Sequence, residues 1–313
     1  MSETTPSIIW PDGKRFAFTV FDDTDRATLA NNRAIYGLLR DLGLRTTKTL
    51  WVFDGQDPPM IPGATCSDPD YLAYMHELKR EGFELSWHNA TWETSDRATT
   101  LRGLDRFREL FGHDPATMAN HASNGEGLYW GHARFSGWRS WLYQAASRER
   151  FDGHIAGSPR FWGDLCQQRI RYVRNFVFPD INTLRACPIA PYHDSRRPFA
   201  QAWFAASEAA DIYRWNALLT EAAIDRLEAE GGACIAYTHF GKGFHEHGQL
   251  DARFVKVMKY LATKNAWFPT TVELLDYLAK QQPQTPHPIT DRERTTLENR
   301  WLRGVLRQRI KRE

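Results

Sequence analysis

The chain has 313 residues, of which 42% are hydrophobic and 25% charged, with a formal net charge of only +2. That is the profile of a globular chain long enough to bury a sizeable core, and it lacks the global basic field of a nucleic-acid binder. The four cysteines, Cys66, Cys166, Cys187 and Cys234, are scattered with no Cys-x-x-Cys spacing. They read as buried reduced thiols rather than as a disulfide framework or a zinc knuckle.

In chain order, Arg15–Phe21 is a short β-rich run that ends abruptly at Asp22-Asp23. Apolar residues at helical spacing (Ala34, Ile35, Leu38, Leu39, Leu42) predict a helix over 31–42, stopped by Gly43. Thr47–Phe53 is the next strand, and 58–69 is a loop rich in proline and glycine. A helix over 70–80 ends at Gly82, and the strand 83–87 runs into His88. A helix over 96–111, with Ser95 as its N-cap, leads to the strand 117–120 and His121. The stretch 125–197 is rich in Trp, Arg, Gly and Pro; within it only 170–178 reads clearly as a strand, and long loops shaping a site mouth are expected there. Residues 208–212 and 215–230 read as helical. The buried strand 233–238 runs into His239, followed by a helix over 252–264, a short strand over 267–270 and a helix over 272–280.

This alternation predicts a parallel α/β sheet or barrel over residues 1–282. Beyond it lie a Pro-rich linker and a basic amphipathic helix over 283–313, opened by a Thr290/Glu293 capping box and carrying Leu297, Trp301 and Val305 on one stripe. The helix reads as docked on the barrel through Trp301; the alternative is an anchor on an anionic membrane surface. The N-terminus has no basic segment followed by an apolar one, and no apolar run is long enough to span a membrane. A cytoplasmic protein, peripheral at the inner membrane at most, is expected.

Polar residues follow strand after strand: Asp22 and Asp23, His88, His121, His239. In a parallel barrel the C-terminal strand ends carry the active site. Adjacent carboxylates after a buried strand repel each other unless a cation or a shared proton relieves them, and mixed Asp and His ligands suit zinc or a related divalent ion.

The order of these residues resembles the polysaccharide deacetylase family, the NodB-homology domains of carbohydrate esterase family four. Four segments carry the resemblance: Thr19-Val20-Phe21-Asp22-Asp23, Gly82-Phe83-Glu84-Leu85-Ser86-Trp87-His88, Cys234-Ile235-Ala236-Tyr237-Thr238-His239, and Trp267 through Leu275. Together they span about residues 14–280. The resemblance implies a distorted (β/α) barrel and metal-dependent removal of an N- or O-acetyl group from a sugar. It implies Asp22 as general base, Asp23 and His88 as metal ligands, and His239 as general acid. The family's second histidine, four residues after the first, falls on Trp92, which cannot bind a metal. His121 is the first candidate to replace it, with Glu93 and Asp25 behind; the His245/His247 pair reads as a solvated loop. Asn89, Trp130, Trp162, Arg174 and Asn175 are candidates to line the sugar pocket. The expected substrate is a nucleotide- or lipid-linked sugar of O-antigen or capsule assembly. The alternatives are another C–N bond or a formyl group as the target, or an inactive barrel kept for carbohydrate binding.

Overall fold

The structure, a computed structural model, describes residues 8–147 and 150–310, so the first seven residues and the last three of the basic tail lie outside the described residues. Seven strands close a ring: β1 (Phe16–Asp22), β2 (Thr47–Leu50), β3 (Glu84–Trp87), β4 (Thr117–Met118), β5 (Tyr172–Phe178), β6 (Ala202–Glu208) and β7 (Ala233–Thr238). Each pairs in parallel with the next, and β7 returns to β1 over six residues. Helices ring the outside, as the predicted alternation requires. The barrel is distorted in identifiable places. β4 contributes only two residues, and the β5–β6 register shifts between Arg174 and Val177. At Trp203, β6 also pairs antiparallel with the two-residue strand Tyr192–His193, which in turn pairs in parallel with His287–Pro288.

Strand alternation divides the core in two. On β1, Phe16, Phe18 and Val20 pack outward with the large cluster under the helices, whereas Ala17 and Phe21 belong to the smaller cluster inside the ring. On β7, Cys234 and Ala236 point outward, while Ala233 and Ile235 point inward. All four cysteines are buried and reduced.

Three local expectations need correction. The N-cap of the helix Arg97–Phe111 is Asp96, whose side chain accepts the Thr99 N–H at 2.7 Å, and not Ser95. The residues up to Glu208 belong to a barrel strand; the helix that follows is Ile212–Leu218, and Thr220 caps a separate helix, Glu221–Glu230. β6 is not legible in the sequence because AWFAASE mixes alanines with aromatics and lacks the β-branched residues that mark strands.

The Thr290/Glu293 capping box opens the helix Asp291–Ile310. Trp301 packs against Phe135 and Phe176, with ring centroids 5.1 and 6.2 Å apart. Arg294 clamps buried Asp194 through two nitrogens at 2.9 and 3.1 Å, and Arg197 binds the same carboxylate. Asp194→Ala removes the buried carboxylate that two guanidinium groups share, leaving Arg294 only the exposed Asp291 and Arg197 only Glu298 at 3.9 Å. It should destabilise the fold by about 3–5 kcal/mol and expose the segment from residue 283 onward to limited proteolysis.

Candidate metal centre and active site

The inward parity of the strands decides which polar side chains meet. Asp23, His88, His121, Arg174, Tyr237 and His239 line one cavity of about 190 Å³, together with Asp25, Asn120, Trp130, Arg134, Glu208 and Trp301. Arg174 lies within β5; the others come from the C-terminal end of a strand, from the loop behind it, or from the segments that cover the mouth. No helix of the described residues is long and apolar enough to cross a membrane.

Asp22, the expected base, is not among them. It sits on the outward face of β1, where its carboxylate accepts hydrogen bonds from the Tyr36 hydroxyl at 2.9 Å and the Phe240 N–H at 2.8 Å, and faces the Lys48 ammonium at 3.2 Å. Burial pushes its carboxyl above the ordinary value; Lys48 works against that but does not reverse it. The next residue, Asp23, points inward. Arg174 grips both of its oxygens at 2.8 and 2.6 Å, and His88 Nε2 lies 3.8 Å away. Burial acts to raise the Asp23 carboxyl, but Arg174 and His88 outweigh it and hold the group below the ordinary range.

The third carboxylate of the Asp22-Asp23-Thr24-Asp25 run comes closest to the histidines. Asp25 Oδ1 lies 3.4 Å from His88 Nε2 and 3.7 Å from His121 Nε2. Its Oδ2 lies 3.3 Å from His239 Nε2 and 3.0 Å from Lys242 Nζ. Against the desolvation of burial, these neighbours hold Asp25 far below the ordinary range. Gly241 permits this proximity. A Cβ there would come within 2.6 Å of the Asp25 carbonyl oxygen and closer still to that of Arg26, so only glycine lets the loop after β7 close on the Asp25 loop.

Asp25 Oδ1, His88 Nε2 and His121 Nε2 are buried and have no hydrogen-bond partner among the described residues, yet they lie within 4.8 Å of one another. Three orphaned acceptors converging on one point are costly unless something fills it. The opposite ring nitrogens explain why these atoms are free to do so. His88 Nδ1 faces the Ala119 carbonyl at 3.0 Å and His121 Nδ1 faces the Asn124 side-chain oxygen at 2.8 Å. Each therefore carries its proton on Nδ1 and aims the Nε2 lone pair inward, the arrangement by which metal-bound imidazoles are oriented. Burial and the neighbouring His88 lower the pKa of His121, which keeps it neutral. Ligands about 2.0–2.1 Å from a tetrahedral zinc ion are about 3.3–3.4 Å apart, close to the Asp25–His88 separation. The residues present fit a divalent metal ion.

His239 is fixed in the same way. Its Nδ1 faces the Ala210 carbonyl at 2.6 Å, and its Nε2 stands 3.3 Å from the Tyr237 hydroxyl. Trp92 does not face the cavity. It stands edge-on to Trp51, whose indole in turn packs on His121 and His88. Glu93 is a loop brace that accepts the N–H groups of Gln56 and Asp57. His245 and His247 lie on a small hairpin, outside the cavity lining.

Of the five candidate pocket residues, Trp130 and Arg174 line the cavity. Asn89, Trp162 and Asn175 do not, because each satisfies a structural bond. Asn89 bridges the His121 N–H and Glu126, the Trp162 indole donates to the Glu126 carbonyl, and Asn175 donates to the Tyr192 hydroxyl. Sequence reasoning passed over Arg134, Tyr237 and Glu208 altogether and held Asp25 only as a weak candidate. The Asp-x-Asp spacing of Asp23 and Asp25 was the available signal, since it puts two carboxylates on one face.

No protein-family model matches the chain, and no curated protein matches it. Solved structures do. A probable polysaccharide deacetylase from Pseudomonas aeruginosa PAO1 superposes with a TM-score of 0.52 at 12% identity, over 90% of this chain and 96% of that one. PuuE allantoinase superposes with a TM-score of 0.51 at 12% identity, over the same shares. At such identities the likeness establishes the fold. This chain has the distorted (β/α) barrel found in polysaccharide deacetylases, with the helix Asp291–Ile310 added at its C-terminus.

Proposed function

We propose that this barrel is a divergent metal-dependent deacetylase that hydrolyses an acetyl amide or ester on a sugar. The observation that carries the reading is the convergence of Asp25 Oδ1, His88 Nε2 and His121 Nε2, all without hydrogen-bond partners, beside an arginine-held carboxylate and an oriented histidine. Asp25, His88 and His121 would hold the ion, and zinc suits their one-carboxylate, two-imidazole donor set. When bound, a divalent ion supplies an acidified water and positive charge for a developing oxyanion.

The chain's own groups divide the remaining work. Asp23 takes the role of general base, moved one position from the reading implied by the motif. Arg174 fixes both its oxygens and keeps it ionised, so one carboxylate oxygen can accept the proton of the attacking water without the group swinging away. His239 Nε2, held by the Ala210 carbonyl through Nδ1, is placed to protonate the leaving nitrogen or oxygen. Trp130 and Trp301 wall the mouth with aromatic surface. At about 190 Å³ the cavity falls below the roughly 300–1,000 Å³ common for ligand pockets, so it admits one compact unit of a larger substrate. An acetylated sugar precursor of surface-polysaccharide assembly, handled in the cytoplasm, is the setting this reading favours. The same small volume favours a second reading, hydrolysis of a compact non-sugar amide.

The test is acetate release by zinc-loaded protein from a panel of N- and O-acetylated sugars and small N-acyl amides, alongside metal analysis. One equivalent of zinc and release from the sugar members support the proposal. Release only from the non-sugar amides selects the second reading. Failure to take up stoichiometric metal overturns both and leaves a binding barrel.

A further inference from the structure

The charged groups around the cavity pair off with one exception. Asp23 is held by Arg174, Asp25 by Lys242 at 3.0 Å, and Glu208 by Arg214 at 2.9 Å. Arg134, only 7% exposed, has no carboxylate partner among the described residues. One of its nitrogens, Nη2, donates to the Asn175 carbonyl, while Nε is buried and unpartnered. Its guanidinium carbon lies over the Trp130 ring, 3.8 Å from the centroid, with the Phe176 and Trp301 centroids 5.7 and 5.6 Å away. Burial depresses its pKa to about 10, which still leaves it charged at neutral pH. Aromatic stacking returns only part of what desolvating a guanidinium costs. A buried cation kept at that cost on a cavity wall is a group waiting for an anion.

We infer that Arg134 forms a subsite for a carboxylate of the substrate, lying within the same cavity as the metal-ligand cluster. The inference rests on the proposed hydrolase reading only for where the acyl group sits. A carboxylate is favoured over a phosphate because the cavity is small and because the planar guanidinium, fixed by Trp130, matches a planar two-oxygen acceptor. The substrate class narrows accordingly to compact N-acyl compounds that bear an acid group, of which an N-acetylated uronic acid and an N-acyl amino acid are the simplest. Arg134 sets specificity here and takes no part in bond breaking.

Two matched probes test this: N-acetylglycine and its neutral counterpart N-acetylglycinamide, titrated calorimetrically into zinc-loaded and zinc-free protein. Wild type should bind the acid about ten- to a hundredfold more tightly, the range of one charge-assisted pair. Arg134→Met should abolish that preference with zinc content unchanged, and Arg134→Lys should restore part of it. Arg134→Met should also raise the melting temperature of the unliganded protein, because it removes an uncompensated buried charge. A preference that persists in Arg134→Met belongs to the metal and overturns the inference, as does equal binding of both probes by wild type. A lower melting temperature for Arg134→Met would assign the residue to structure instead. Absence of zinc binding defeats the hydrolase reading alone, since the acid preference can still be read in zinc-free protein.

Discussion

Asp25→Ala should leave the purified protein nearly free of zinc, whereas Asp22→Asn should retain a full equivalent. The contrast follows from strand parity. Asp25 Oδ1 faces His88 and His121 Nε2 at 3.4 and 3.7 Å, while Asp22 turns to the opposite face toward Lys48 and Tyr36. Loss of a ligand should reduce affinity by more than the roughly 10–100-fold that accompanies loss of an outer-shell partner. Acyl hydrolysis should fall with it. Asp22→Asn acts on stability instead. It leaves the fully buried Lys48 ammonium without a counter-charge, which costs about 3–5 kcal/mol. The double change Asp22→Asn with Lys48→Met removes that charge and should recover much of the loss, so metal content can be compared in a well-folded protein. Zinc analysis and urea denaturation of the three variants check the result. Full zinc in Asp25→Ala would return the ligand role to Asp23, and loss of acyl hydrolysis in a well-folded, zinc-loaded double variant would return the role of base to Asp22.

The misplacement by one residue has a physical origin. A strand buried on both faces reads as a continuous apolar run, so its sequence does not reveal which parity faces inward. β1 is such a strand: FAFTVFD is buried at every position. Its Asp-Asp ending was legible, but the choice of inward aspartate depended on tertiary packing, with Tyr36 and Lys48 claiming one carboxylate and Arg174 the other. His88, His121 and His239 were legible because each follows a strand whose end is plain in the sequence. Arg134 was not, because it belongs to a short helical turn, Gly131–Arg134, in a segment without periodicity. The docking of the C-terminal helix could be read from Trp301 and the apolar stripe. Its role as a wall of the cavity could not, since that depends on Phe135 and Phe176, which are far from Trp301 in sequence.

Asp23→Asn should retain zinc and lose about 10²–10⁴-fold in kcat, the usual contribution of a general base, with a much smaller change in KM. The amide cannot accept the water proton, yet it keeps nearly the same shape beside Arg174 and His88. Some stability should go as well, because Arg174 loses half of a two-pronged ion pair in which each partner is only 3% exposed. Arg174→Met in the same background removes the stranded cation, so stability should rise while kcat stays low, and this separates the catalytic loss from a folding loss. The pair also sets a pH dependence. The Asp23 carboxyl is held below its ordinary value of 3.8, so its contribution to stability is complete above that value and is lost as pH falls through the depressed one. Wild type should therefore lose stability more steeply than Asp23→Asn below about pH 4 when urea midpoints are followed against pH. Equal slopes would show that the Asp23–Arg174 pair does not hold the carboxylate ionised, and a kcat within about tenfold of wild type for Asp23→Asn would remove Asp23 from the role of base.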